Sequence, residues 1–173
     1  MPVTIGFLVF DGVQLLDFAG SYEAFSVWRD KFKGPERIVI VSQEVGDITC
    51  ANGNQIKSTH NFSNCPELDY LLIPGGIGAR TEANQKVLIP FIQNASKNCQ
   101  AILSVCSGSF LLQKAGLLDG KKATTHHALL KELKAYEKTT VIEERIVKDG
   151  NIWTSGGVSS GIVFDSSDQG LMI

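Results

Sequence analysis

With 173 residues, 43% hydrophobic, 20% charged and 8% aromatic, the chain has the size and make-up of one globular domain. Those proportions exclude disorder, collagen and a disulfide miniprotein, and no apolar run approaches the ~18–20 residues of a membrane helix. Sixteen Lys+Arg against eighteen Asp+Glu give a net charge of −2 with no basic block, which excludes a nucleic-acid surface.

Residues 1–11 carry neither the basic start nor the cleavage site of a signal peptide, so a cytoplasmic protein is expected. Residues 4–10 (TIGFLVF) are a buried strand that stops at Asp11-Gly12. Residues 15–28 then place apolar side chains along a helical face, and residues 37–42 (RIVIVS) form a second strand. Weaker strand patterns over 48–59 are broken by Asn52-Gly53, a hairpin turn. Residues 70–73 (YLLI) are a buried strand ended by Pro74-Gly75-Gly76. The pattern over 84–97 predicts a helix, in which Pro90 implies a kink or a late start. Residues 101–105 (AILSV) form another buried strand, followed at once by a helix over 107–115. A short strand at 122–125, a helix at 128–136 and a hairpin of 141–148 with 151–154 complete the pattern.

Buried strands alternating with helices imply a mostly parallel sheet covered on both faces, a three-layer α/β/α sandwich. No repeat or linker divides the chain, so residues 1–173 are expected to be a single domain. Gly156 to Gly161 should open a last helix, yet the tail from about residue 165 has almost no apolar periodicity.

Cysteines stand at 50, 65, 99 and 106 with no C-x-x-C pair and no His at zinc spacing, so no metal is expected. Free cysteines are by default small buried hydrophobes, and only one neighbourhood argues otherwise. In Ser104-Val105-Cys106-Ser107-Gly108-Ser109 a buried strand feeds a nucleophile-type residue, with Gly two places on and then a helix. That is the strand–nucleophile–helix elbow, with Cys in the Ser position. The helix N-terminus is expected to favour the thiolate, and the Ser107 N–H becomes a candidate oxyanion donor. The alternative is a structural cysteine in a strand-to-helix turn.

Gly75 and Gly76 end a neighbouring strand, where backbone can approach a ligand closely. Asp17 lies among apolar residues after the first strand. It is either a helix N-cap or a carboxylate that shares a proton with the thiol.

These stretches together (LDFAGSYEAF, LLIPGG, VCSGSFLLQKAGLLDGKKATTHH and DGNIWTSGGVSSGI) resemble the ThiJ/PfpI superfamily, on the class I glutamine amidotransferase-like fold. The match covers residues 3–164 and is nearest the isonitrile hydratase branch, which is also similar to the amidase-like domain of AraC-type regulators. The resemblance implies Cys106 as nucleophile, Asp17 as its acidic partner, and Gly75, Gly76 and Ser107 as the loops around them. It puts His126 near the pocket without a catalytic role. Ser107 replaces the usual Thr of the branch, keeping a hydroxyl and losing a methyl, and no His follows the nucleophile as in the protease branch.

The implied activity is hydration of an isonitrile to an N-substituted formamide, with no cofactor and a small-molecule substrate. Another cysteine hydrolase or a glyoxal-handling activity is the nearest alternative. A non-catalytic ligand-sensing domain is the third reading, disfavoured by the lack of room before Ile173 for a helix-turn-helix. A homodimer is implied by the resemblance alone.

Overall fold

The apolar runs pair into one sheet because each is buried along its length and must close its hydrogen bonds with a neighbour. A computed structural model describes residues 2–157. The main sheet is built from β1 (Thr4–Leu8), β2 (Arg37–Ser42), β5 (His60–Asn61), β6 (Tyr70–Ile73), β7 (Ala101–Val105), β10 (Ile146–Asp149) and β11 (Ile152–Ser155). Their order across the sheet is β10-β11-β7-β6-β1-β2-β5, with every pair parallel except β10 and β11. The mostly parallel α/β architecture expected from the alternation of elements is therefore what forms.

Two smaller pairs lie apart from this sheet. The hairpin around Asn52-Gly53 becomes β3 (Asp47–Thr49) with β4 (Gln55–Lys57), and β8 (Lys122–Ala123) pairs in parallel with β9 (Thr140–Val141). The strand expected over 141–148 is thus two strands, β9 and β10, in two different sheets. The alternation of side chains cannot register such a change of partner.

Among the described residues four α-helices connect the strands: α1 (Leu15–Phe32), α2 (Glu82–Ala95), α3 (Ser109–Lys114) and α4 (Leu130–Lys134). α1 runs beyond the expected residue 28 to Lys33, whose left-handed backbone (φ 57) ends it while the Gly34 N–H closes on the Trp28 carbonyl. α2 starts at the Thr81 cap and carries Pro90 in its interior, so the proline does not delay the start. The expected helix at 128–136 splits into a 3₁₀ turn, His127–Leu129, and α4. The helix expected after Gly156 and the atypical tail lie outside the described residues.

The chain moves from β1 to β2 in one direction across the sheet, and from β6 to β7 in the other. Right-handed crossovers therefore put α1 and α2 on opposite faces and leave a topological switch point between β1 and β6. On the α1 face, fully buried Phe7 meets Phe18, Tyr22 and Phe25 edge-on, with ring centroids 5.9, 5.3 and 5.7 Å away. This cluster fixes α1 over β1, and with it the first helical turn near the switch point. Phe7→Ala is expected to lower unfolding free energy by about 3–5 kcal/mol through the cavity left among those rings, read from urea denaturation midpoints.

Candidate active site

Three strands end at the carboxyl edge beside the switch point, and each delivers one part of the site. Cys106 follows β7 directly and opens a 3₁₀ turn, Cys106–Gly108, that runs into α3. Its φ of 56° lies in the left-handed region, the strained elbow expected of a residue that turns its side chain out of a sheet. Such a conformation costs of order 1–3 kcal/mol and persists only where neighbours hold it. The Thr125 hydroxyl donates to the Cys106 carbonyl at 3.0 Å, and the Ser109 hydroxyl donates to Thr125 at 2.8 Å. Behind the elbow, a Cβ on Gly108 would overlap the Ile73 carbonyl oxygen, so only glycine lets the turn close on the end of β6.

Asp17 comes from α1 and is completely buried. The N-cap position belongs to Gln14, so Asp17 lies inside the first turn and is not the cap. The Gly75 N–H donates to its Oδ2 at 2.9 Å, whereas Oδ1 has no hydrogen-bond partner among the described residues. Gly75 is also the point where acid and elbow meet. A Cβ there would lie 2.7 Å from both the Ser107 nitrogen and Oγ, and 3.0 Å from Asp17 Oδ2. Next to it, the Gly76 N–H donates to Ser107 Oγ at 3.0 Å. The serine in place of threonine thus keeps the hydroxyl contact between the two loops.

Burial pushes the Asp17 carboxyl up to about 6, with the Gly75 N–H pulling the other way. Burial, and then the negative charge of Asp17, push the Cys106 thiol up to about 11, opposed by the Ser107 N–H and hydroxyl. Burial beside a carboxylate works against the thiolate expected at this helical start, while the Ser107 N–H at the same start works for it. Each group is thus harder to ionise than when free, and a charge on one opposes a charge on the other. Burial also raises Cys65, to about 11, Cys99, to about 12, and Cys50, so acidity does not set Cys106 apart. Its carboxylate neighbour and its place in a cavity do.

That cavity has a volume of about 330 Å³ and is lined by Cys106, Ser107, Gly76 and His126, with Gln14, Ile77, Arg80 and Leu129. Of the residues expected from sequence, Asp17 and Gly75 lie just behind this lining, and the other four form part of it. His126 packs on His127 with centroids 4.2 Å apart, and its Nδ1 accepts the Ala128 N–H at 3.3 Å. Burial and the neighbouring imidazole lower its pKa, so the ring is neutral and carries its proton on Nε2. Gln14, Ile77, Arg80 and Leu129 were missed from sequence. Ile77 and Arg80 belong to a 3₁₀ turn after Gly76, and a lone residue in such a turn carries no periodic signal.

A cysteine elbow, a buried acid and a Pro-Gly-Gly loop at the ends of β7, β1 and β6 are the same three elements that carry the motif resemblance. The profile of the DJ-1/PfpI family matches residues 3–167. The chain belongs to that family. Among DJ-1/PfpI relatives, an isonitrile hydratase from Pseudomonas putida is 37% identical over 167 residues, which are 95% of this chain and 69% of that protein. The HTH-type transcriptional regulator GbdR of Pseudomonas aeruginosa is 27% identical over 159 residues, 90% of this chain and 43% of the regulator. A crystal structure of a ThiJ/PfpI family protein from Pseudomonas syringae superposes with a TM-score of 0.79 at 30% identity. It covers 94% of this chain, which spans 65% of that protein's length. No helix among the described residues is long and apolar enough to cross a membrane.

The raised Asp17 pKa has a thermodynamic consequence. Below the unfolded carboxyl pKa of 3.8 the acid is protonated in both states and has no effect. As pH rises through about 6 the folded state must carry a desolvated charge, so stability is lost over that interval and stays lost above it. Wild type is expected to lose up to about 3 kcal/mol relative to Asp17→Asn between pH 4 and pH 7, read from urea unfolding at each pH. Parallel stability profiles for the two proteins contradict this environment for Asp17.

Proposed function

We propose that this DJ-1/PfpI protein is an isonitrile hydratase-like enzyme, adding water to an isonitrile to give an N-substituted formamide. The observation that carries the reading is a fully buried carboxylate whose charge is felt by the thiol of a strained elbow, one of its oxygens held by Gly75 and the other unpartnered among the described residues. The similarity to the Pseudomonas putida protein supports it.

The roles follow from the protonation state. Asp17, ionised near neutral pH, takes the thiol proton as Cys106 Sγ forms a bond to the terminal isonitrile carbon. The same carboxyl then delivers that proton to carbon, leaving a thioimidate, S–CH=N–R. Water adds to this carbon while Asp17 accepts one of its protons and nitrogen receives it. The Ser107 N–H is the donor nearest the oxygen that develops charge. The C–S bond breaks, sulfur regains the second water proton, and the formamide leaves. No oxidant, metal or cofactor enters the balance. Gly75 and Gly76 hold the loop against acid and elbow, and His126 offers its Nε2–H to the cavity as a positioning donor.

A second reading is a ligand-sensing domain, supported by the regulator relatives that share most of this chain's length. It forecasts binding without turnover. The hydratase reading has the protein act as a cytoplasmic homodimer, and a single 18.8 kDa species in sedimentation at micromolar concentration contradicts the dimer.

Incubation with small isonitriles, with formamide followed by proton NMR, tests the reading. Cys106→Ala is expected to abolish turnover, and Asp17→Asn to lower kcat/KM by roughly 10²–10⁴-fold. For wild type, kcat/KM should rise with pH through about 6 as Asp17 ionises and then level off. Absence of turnover with any isonitrile overturns the hydratase assignment, and near-wild-type turnover in Asp17→Asn overturns the acid–base role.

A further inference from the structure

Among the described residues that line the cavity over Cys106, Arg80 is the one that carries a formal charge. Ile77 and Leu129 are apolar, Gln14 is an uncharged amide, and His126 is held neutral. Arg80 reaches the cavity from the same loop that supplies the Gly76 N–H, and it does not hang free. Its guanidinium lies over the Phe110 ring, 5.2 Å from the centroid, and its Nη2 donates to Glu132 Oε1 from α4.

Contact with the Phe110 ring and with Glu132 fixes where the guanidinium lies, and Glu132 engages one of its five N–H groups. The two side chains are 41% and 49% exposed, so solvent screens the pair and Glu132 can exchange for another carboxylate at little loss. A planar, pre-oriented guanidinium beside a nucleophile matches a carboxylate in two-point geometry. It also offsets the charge of Asp17, which would otherwise repel an anionic substrate from this cavity.

We infer that Arg80 is a specificity-determining residue that receives a carboxylate on the substrate, so that the cavity takes small carboxylate-bearing electrophiles, with Glu132 holding the guanidinium until they arrive. The inference rests on the proposal that Cys106 is the reacting group, and it extends that proposal to the class of substrate.

Alkylation of Cys106 tests it without requiring turnover. Iodoacetate and iodoacetamide both form an Sγ–C bond and expel iodide, the thiol proton passing through Asp17 to buffer, and they differ in the carboxylate. The ratio of their rates at the Cys106 peptide, read by mass spectrometry at pH 7.5, is expected to fall about 5- to 10-fold in Arg80→Gln. It is expected to rise in Glu132→Gln, which leaves Arg80 in place and frees its fork. A ratio in Arg80→Gln within about twofold of wild type overturns the inference. An unchanged ratio in Glu132→Gln removes the placeholder role of Glu132. Turnover gives an independent comparison, since isocyanoacetate and its methyl ester present the same isonitrile with and without charge. Their kcat/KM ratio should favour the acid in wild type and lose that preference in Arg80→Gln. If neither is turned over, the hydratase reading falls while the alkylation ratio still decides the role of Arg80.

Discussion

A left-handed backbone at Cys106 is the constraint from which the site follows. A cysteine at φ 56° is unfavourable by itself, and contacts of Thr125, Ser109 and Gly108 remove the alternatives. Thr125, from the segment after β8, holds its carbonyl; Ser109, from the start of α3, backs Thr125; and Gly108 lets the turn press against Ile73 at the end of β6. β7 before it is buried at all five positions, so the strand cannot shift to relieve the turn. The thiol is consequently presented at the carboxyl edge of the sheet, beside the switch point between the paired strands β1 and β6.

The same closeness of packing sets the electrostatics. Asp17 is drawn fully out of water by the first turn of α1, which the Phe7 cluster fastens over β1. Among the described residues one backbone N–H, from Gly75, compensates Oδ2, and that is too little to hold the pKa at its ordinary value. The thiol next to it is pushed up by the same burial and by the carboxylate it faces. Two acids that each resist ionisation therefore lie side by side, and a charge on either one opposes a charge on the other.

The motifs made much of this legible. The buried apolar runs, the Asp11-Gly12 and Pro74-Gly75-Gly76 breaks and the V-C-S-G step mark strand ends, and ligands in an open parallel sheet gather at such ends. What misled was any inference that needed a length or a distance. A helix leaving Cys106 pointed to a stabilised thiolate, but how deep the thiol lies and how near a carboxylate comes to it are properties of packing. An aspartate among apolar residues near a helix start fits a cap equally well until Gln14 is found in that position.

Residue type and order determined that a cysteine elbow, an aspartate and a paired-glycine loop belong to three parts of one α/β sheet, because apolar runs and turn-forming residues act locally. Only the tertiary structure decided that both acids are held above their ordinary pKa, since burial and the distance between charges are sums over neighbours far apart in the chain. It alone brought Glu132 and Phe110, from two different helices, against Arg80 in the 3₁₀ turn at the cavity. No spacing in the sequence encodes that meeting, because it is created by the two directions in which the chain crosses the sheet.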